Sequence, residues 1–163
     1  MKVTFITTGG TIDKVYFDAK GGFEIGESEL PRMLEESQVT VAWEVLELMK
    51  KDSLDLTDDD RNLLLDTVQG LDTSRIVVTH GTDTMVQSAL HLQSVHDKTI
   101  VFTGSLSPAR FRASDAVFNV GAALTASQCM PPGVWICMNG EIFLAADVEK
   151  NVTKNRFERI SEE

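Results

Sequence analysis

The chain has 163 residues, enough for one domain with a full core. Hydrophobic residues make up 42% of it, which excludes a chain disordered by composition. Acidic residues outnumber basic ones, 25 to 15, and the formal charge of −10 argues against DNA, RNA or an anionic membrane surface as a partner.

A small zwitterionic ligand stays open, because local charge decides its binding. Cys129 and Cys137 are too few for a disulfide scaffold and lack metal-ligand neighbours. Both lie in apolar stretches and read as buried thiols. No basic segment followed by an apolar run opens the chain, so neither a signal peptide nor a membrane span is expected, and a reducing cytoplasm is the expected compartment. No cofactor and no metal are expected.

Strands and helices alternate along the chain. Residues 2–8, "KVTFITT", are β-rich and end at Gly9. Residues 13–27 are polar and glycine-bearing, a loop or a hairpin. Ser28 caps a short helix over "ELPRMLEES", with Pro31 tolerated in its first turn. "TVAWEVLELM", residues 40–49, can hold a strand. Thr57 followed by three aspartates marks a helix start, with acids on the positive end of the helix dipole. Leu64, Val68 and Leu71 then share a face. "SRIVVTH", residues 74–80, reads as a buried strand ending at "GTDT", and Met85, Val86, Ala89 and Leu90 follow at helical spacing. "KTIVFTG", residues 98–104, is another strand. Ser114 caps the next helix, where Val117, Val120, Gly121 and Leu124 are expected to share a face. "GVWICMN", residues 133–139, is a further strand, and "EIFLA" pairs with it across Asn139-Gly140. The polar stretch 151–163 is expected to be loosely held.

Strands separated by helices imply βαβ units. The expected fold is a single α/β domain over 1–163: three layers, a mostly parallel sheet of Rossmann-like or flavodoxin-like type with helices on both faces. Right-handed crossovers bring the C-terminal strand ends to one edge, where ligands bind in such sheets. "TTGGT", "THGTDT" and "FTGS" therefore face one crevice. Gly10 and Gly81 let backbone approach a ligand closely. Thr11 and Thr82 are either caps on their turns or hydroxyls presented to the crevice, and Asp83 beside Thr82 favours the second reading. A threonine nucleophile needs a base. His80 has no evident partner and an unknown side-chain direction, and reads as structural or as a supporting residue in the site ahead of a catalytic one; His91 and His96 read as solvated. Tyr16, the single tyrosine, lies in the loop after Thr11. Lys150 is either a solvated lysine or, near Asp83, a tuned one. A phosphate site at "TGGT" is disfavoured: there is no G-x-G-x-x-G and no P-loop lysine.

"TTGGTI" at 7–12 and "THGTDT" at 79–84 resemble the two signature segments of the bacterial-type L-asparaginases. "KDSLDLTDDD" at 51–60, "VFTGSLSP" with "SDAVFN", and "MNGEIFLAADVEKN" at 138–151 resemble further segments of that family, in order. The resemblance implies hydrolysis of the side-chain amide of asparagine, and of glutamine as a second substrate, through a threonine acyl-enzyme. It implies Thr11 as primary nucleophile, Tyr16 as its assisting hydroxyl, and Thr82, Asp83 and Lys150 as a second catalytic constellation. Ser53 would take the substrate α-carboxylate and Asp83 its α-ammonium, with Gly10, Gly81 and Ser105 completing the binding set.

The chain departs from the family in three ways. Tyr16 follows Thr11 by only five residues, and Phe23 competes for the family tyrosine's place. Leu54 stands where many members carry a polar residue. Family enzymes are about twice as long, so the resemblance implies an N-terminal domain alone, and self-association into a homo-oligomer is expected to cover the face a partner domain would bury. The alternative to an amidohydrolase is a weakly active or non-catalytic amino-acid-binding domain, or one subunit of a larger amidase or amidotransferase assembly.

Overall fold

The computed structural model describes residues 1–160. In chain order it holds β1 (Lys2–Gly9), β2 (Lys14–Phe17), β3 (Gly22–Ile25), α1 (Leu30–Glu36), β4 (Ala42–Lys51), α2 (Asp58–Gly70), β5 (Arg75–Thr79), α3 (Met85–His91), β6 (Thr99–Thr103), α4 (Ala116–Cys129), β7 (Gly133–Met138), β8 (Glu141–Leu144), β9 (Val148–Asn151) and β10 (Arg156–Arg159). Six strands form the central sheet in the order β4-β1-β5-β6-β7-β8. The first five are parallel; β8 returns antiparallel to β7 with Met138 opposite Glu141. Its tight turn places Asn139 at φ 51° and Gly140 at φ 88°, the left-handed pair that the Asn-Gly sequence announced.

Both faces of the sheet are covered, which is why the inner strands read as unbroken apolar runs. Phe5, Val77 and Val101 point to one side and pack with Leu30, Met33 and Leu34 of α1 and Val120 and Ala123 of α4. Ile6, Ile76, Val78, Ile100 and Phe102 point to the other and pack with Leu64 and Val68 of α2 and Met85 and Ala89 of α3. This is the expected three-layer α/β arrangement.

Helix starts follow local chemistry. At α2 the Thr57 hydroxyl accepts from the Asp60 N–H at 3.3 Å, and the Asp60 carboxylate accepts from the Thr57 N–H at 2.8 Å. Lys51 also bonds that carboxylate at 2.8 Å, and this contact first, with the Thr57 bonds, holds Asp60 down at a pKa of about 2. Ser28 and Ser114 act one position earlier than a strict cap: their hydroxyls accept from the N–H groups of Leu30 at 3.3 Å and Ala116 at 3.1 Å.

Four expectations are corrected. On α4 the buried face is Ala116, Asn119, Val120, Ala123 and Leu124, whereas Val117 and Gly121 are exposed, because the helix rolls its small residues onto the sheet. On α3, Leu90 faces outward while Leu92, just past the helix, enters the core. Cys137 is buried, its thiol pushed up to about 11 by desolvation, but Cys129 is exposed at the end of α4. The stretch from 151 to 160 is ordered: β9 and β10 form an antiparallel hairpin with Phe157 opposite Lys150, and Val148 and Phe157 are anchored in the core. Its last three residues lie outside the described ones. Among the described residues no helix is long and apolar enough to cross a membrane.

The reciprocal cap at α2 sets a first prediction. Thr57→Ala removes both the hydroxyl that accepts the Asp60 amide and one contact to its carboxylate. Chemical denaturation should show a loss of about 1 kcal/mol with an unchanged m-value.

Candidate active site

Four parallel strands deliver their C-terminal turns to one edge, and glycine lets those turns touch. Gly10 adopts φ 91°, and a Cβ there would lie 2.5 Å from the Gly81 nitrogen, so only glycine fits. A Cβ on Gly81 would lie 2.6 Å from both Cβ and Oγ of Ser53. A Cβ on Gly104 would strike the His80 carbonyl. The Gly10 N–H is already given to the Lys51 carbonyl at 3.0 Å. The turns bearing Thr11 and Thr82 thus meet backbone on backbone, and the Thr82 turn rests on the Ser53 side chain.

Thr82 is buried, and its hydroxyl accepts from Lys150 Nζ at 2.8 Å. The same ammonium pairs with Asp83 Oδ1 at 2.6 Å. Lys150 belongs to β9, and only 12% of its side chain is exposed. The aliphatic stem is enclosed and the charged head is spent on two partners, so the solvated-lysine reading does not hold. Asp83 is about half exposed, and among the described residues its second oxygen makes no hydrogen bond.

Thr11 begins a short 3₁₀ turn and is partly buried. Among the described residues its hydroxyl makes no hydrogen bond. Ser53 begins a similar turn and is buried, and its carbonyl accepts from the Thr84 hydroxyl at 2.7 Å. Ser105 is buried too, but its hydroxyl donates to the Ser107 carbonyl at 2.6 Å rather than pointing outward unpaired.

Tyr16 is not brought to Thr11. It stands on β2 directly across from Phe23 on β3, ring edge to face at 5.5 Å, with more than half its surface exposed. Phe23 also contacts Phe111 at 6.0 Å, so the hairpin leans on the loop that follows β6. Tyr16 and Phe23 are therefore neighbours in one aromatic cluster. A Lys14–Asp52 ion pair at 2.8 Å ties the same hairpin to the Ser53 turn.

His80 is buried against Phe102, and desolvation lowers it to a pKa of about 4, so the ring is neutral. Its Nδ1 donates to the Gly81 carbonyl at 2.7 Å, which fits the structural role read from its lack of partners. Asp13 was not singled out from the sequence. It is buried two residues past Thr11, and desolvation foremost raises its carboxyl to about 6. An acid directly after "GGTI", at the end of the buried first strand's turn, was the available signal.

Comparison with known proteins follows the same outline. The family model described as "Asparaginase, N-terminal" matches residues 2–161. The chain is 28% identical over 162 residues to the probable L-asparaginase periplasmic of Haemophilus influenzae, covering 93% of this chain and 46% of that protein. It is 36% identical over 92 residues to the glutaminase-asparaginase of Acinetobacter glutaminasificans, covering 53% of this chain and 28% of that protein. The thermostable L-asparaginase from Thermococcus kodakarensis superposes with a TM-score of 0.85 at 25% identity, over 100% of this chain and 52% of that one. The chain spans about half the length, or less, of these relatives.

The contact of Gly81 with Ser53 yields a second prediction. Gly81→Ala should destabilise the fold by about 1–3 kcal/mol through overpacking. Adding Ser53→Gly removes both atoms the new methyl would strike. The double variant should recover part of that loss in a thermal-denaturation cycle, and strict additivity would contradict the contact.

Proposed function

The chain belongs to the asparaginase family, and from that premise we propose that it is an amidohydrolase acting on the side-chain amide of L-asparagine, with glutamine as the second candidate. One observation carries the reading: an enclosed lysine ammonium shared between a buried threonine hydroxyl at 2.8 Å and an aspartate at 2.6 Å. A cation beside a hydroxyl stabilises negative charge as that oxygen loses its proton, and the neighbouring carboxylate keeps the cluster close to neutral.

In the proposed reaction Thr11 Oγ attacks the amide carbon and loses its proton. The C–N bond breaks, and nitrogen leaves as ammonia after taking up a proton. Water then cleaves the ester, freeing the acid and restoring the hydroxyl. The unspent Thr11 hydroxyl supports its role as nucleophile. The stacked glycines support the approach of a substrate to bare backbone, and Asp83 Oδ2 is available to the α-ammonium. Ser53, on the same stack, is the candidate for the α-carboxylate. Recognition of both charged ends by paired groups in a sheltered crevice favours a free amino acid. Tyr16 assists Thr11 in this scheme only if the hairpin turns it away from Phe23.

The proposal includes self-association. Val117 and Phe118 are 52% and 61% exposed on α4, next to Ile142 on β8, an apolar strip that a second copy would cover.

Purified protein should release ammonia from asparagine. Thr11→Ala and Thr82→Ala should each cost about 10³-fold or more in kcat, and Lys150→Met about 10²–10⁴-fold. Full activity in both threonine variants would overturn the mechanism. Aspartate binding by calorimetry without ammonia release would instead favour the binding-domain alternative. Sedimentation velocity in the same buffer should give a dimer or larger species, and a monodisperse monomer would refute the self-association.

A further inference from the structure

Asp13 lies in the same short turn as Thr11, and no step above uses it. Only 2% of its surface is exposed. Its polar groups all close one loop. Its N–H donates to the Gly10 carbonyl at 3.1 Å, and its carbonyl accepts from the Gly26 N–H at 2.8 Å. Its carboxylate accepts from the Glu29 N–H at 3.1 Å and from the Ser28 hydroxyl. The turn that carries Thr11 is thereby fastened to residues 26–29, the return path of the β2–β3 hairpin.

Among the described residues no cation answers this carboxylate. The charged groups that face it are acids: Glu29 ahead of α1 and Glu47 on β4. Arg32 of α1 and Arg110 of the loop after β6 are both engaged with Glu29 instead. Lys14, next in the chain, is paired with Asp52. Among the described residues, two neutral donors hold the charge.

We propose that Asp13 is the positioning residue for Thr11: its ionised carboxylate holds Ser28 and Glu29 against the Thr11 turn, and protonation loosens that hold and displaces the Thr11 hydroxyl. The proposal rests on Thr11 as the nucleophile. An ionised carboxylate accepts from both Ser28 and Glu29. Once protonated it gains a donor and becomes a weaker acceptor, so its bonds from the Ser28 hydroxyl and the Glu29 N–H lose their charge assistance.

Burial, and after it the two acids, raise the Asp13 carboxyl from 3.8 to about 6. The folded chain therefore binds this proton more tightly than the unfolded chain. Ionised Asp13 costs stability at neutral pH, and that cost fades as the pH falls through 6 towards 4. Asparagine at this position keeps an acceptor for Glu29 without the buried charge. Asp13→Asn should thus be as stable as the parent at neutral pH, or more so, and yet slower. A merely structural residue would lose both together.

The test pairs kcat/KM for asparagine, from about pH 4.5 to about pH 8, with amide proton NMR over the same range. In the parent, activity should fall on the acid side with a midpoint near 6, and the Glu29 and Thr11 amides should titrate with it. Asp13→Asn should lose that limb and that titration and run about 10-fold slower, with an undiminished thermal midpoint at neutral pH. An unchanged pH profile and full kcat/KM in Asp13→Asn would overturn the proposal, as would a Thr11 amide that stays still while Glu29 titrates. A parent that releases no ammonia defeats the proposed function instead, and the amide titration alone then decides whether Asp13 governs the turn.

Discussion

The arrangement depends on one close approach: Gly10 lies against Gly81 with no room for a Cβ, and Gly81 lies against Ser53 in the same way. A parallel sheet brings strand ends to one edge but normally leaves them a strand spacing apart, with side chains between. Here Gly10 meets Gly81 backbone to backbone, and Gly81 meets the Ser53 side chain. Three chain segments far apart in sequence are therefore registered to one another at these contacts. Thr11 and Thr82 each follow one of these glycines directly, so their relative place is fixed by the same contact. Gly9 against Lys51 and Gly104 against His80 extend the stack to the neighbouring strand ends.

This edge costs stability that the core must offset. Thr7 and Thr79 are register partners on β1 and β5, and among the described residues neither hydroxyl has a partner. Among the same residues His80 Nε2 is likewise unpartnered. Each such group costs about 1–3 kcal/mol when no water answers it. Thr103, next in the same row, avoids the cost by donating to the Cys137 carbonyl at 2.8 Å. Asp13 adds a buried charge held only by neutral donors. Below this polar layer, the apolar pairs Phe5–Val77–Val101 and Ile6–Val78–Phe102 run continuously across the strands. Polar strain is concentrated where the strands end, and apolar packing where they begin.

Much of this edge could be read from residue order. Glycine after a β-branched run, then threonine, marked the turns, and the alternation of strands and helices placed them together. Other parts could not be read, for physical reasons. The face of α4 was misjudged because its small residues, Ala116 and Ala123, seat closest to the sheet while larger Val117 and Phe118 stay outside; periodicity ranks side chains by hydrophobicity, not by fit. The β9–β10 hairpin escaped notice because its residues are mostly charged and only Val148 and Phe157 are anchored. Tyr16 was placed near Thr11 by chain distance, yet pairing across the hairpin turns its ring to Phe23. Asp13 looked unremarkable because its burial is created by residues 26–29 folding back over it.

The two halves of the site are therefore held by unlike means. Thr11, Ser53 and Thr82 ride on a sheet edge locked by glycine contacts, and moving them means deforming the core strands. Lys150 arrives on a two-stranded hairpin outside the main sheet, a unit of marginal stability by itself. Its hold is the pair Val148 and Phe157 in the core, together with the ion pair to Asp83. A partial opening that releases Phe157 withdraws the ammonium from Thr82 and Asp83 while leaving the strand-end turns in register. Local opening of the hairpin thus removes the cation without disturbing the hydroxyls, whereas moving the hydroxyls requires the sheet edge itself to open.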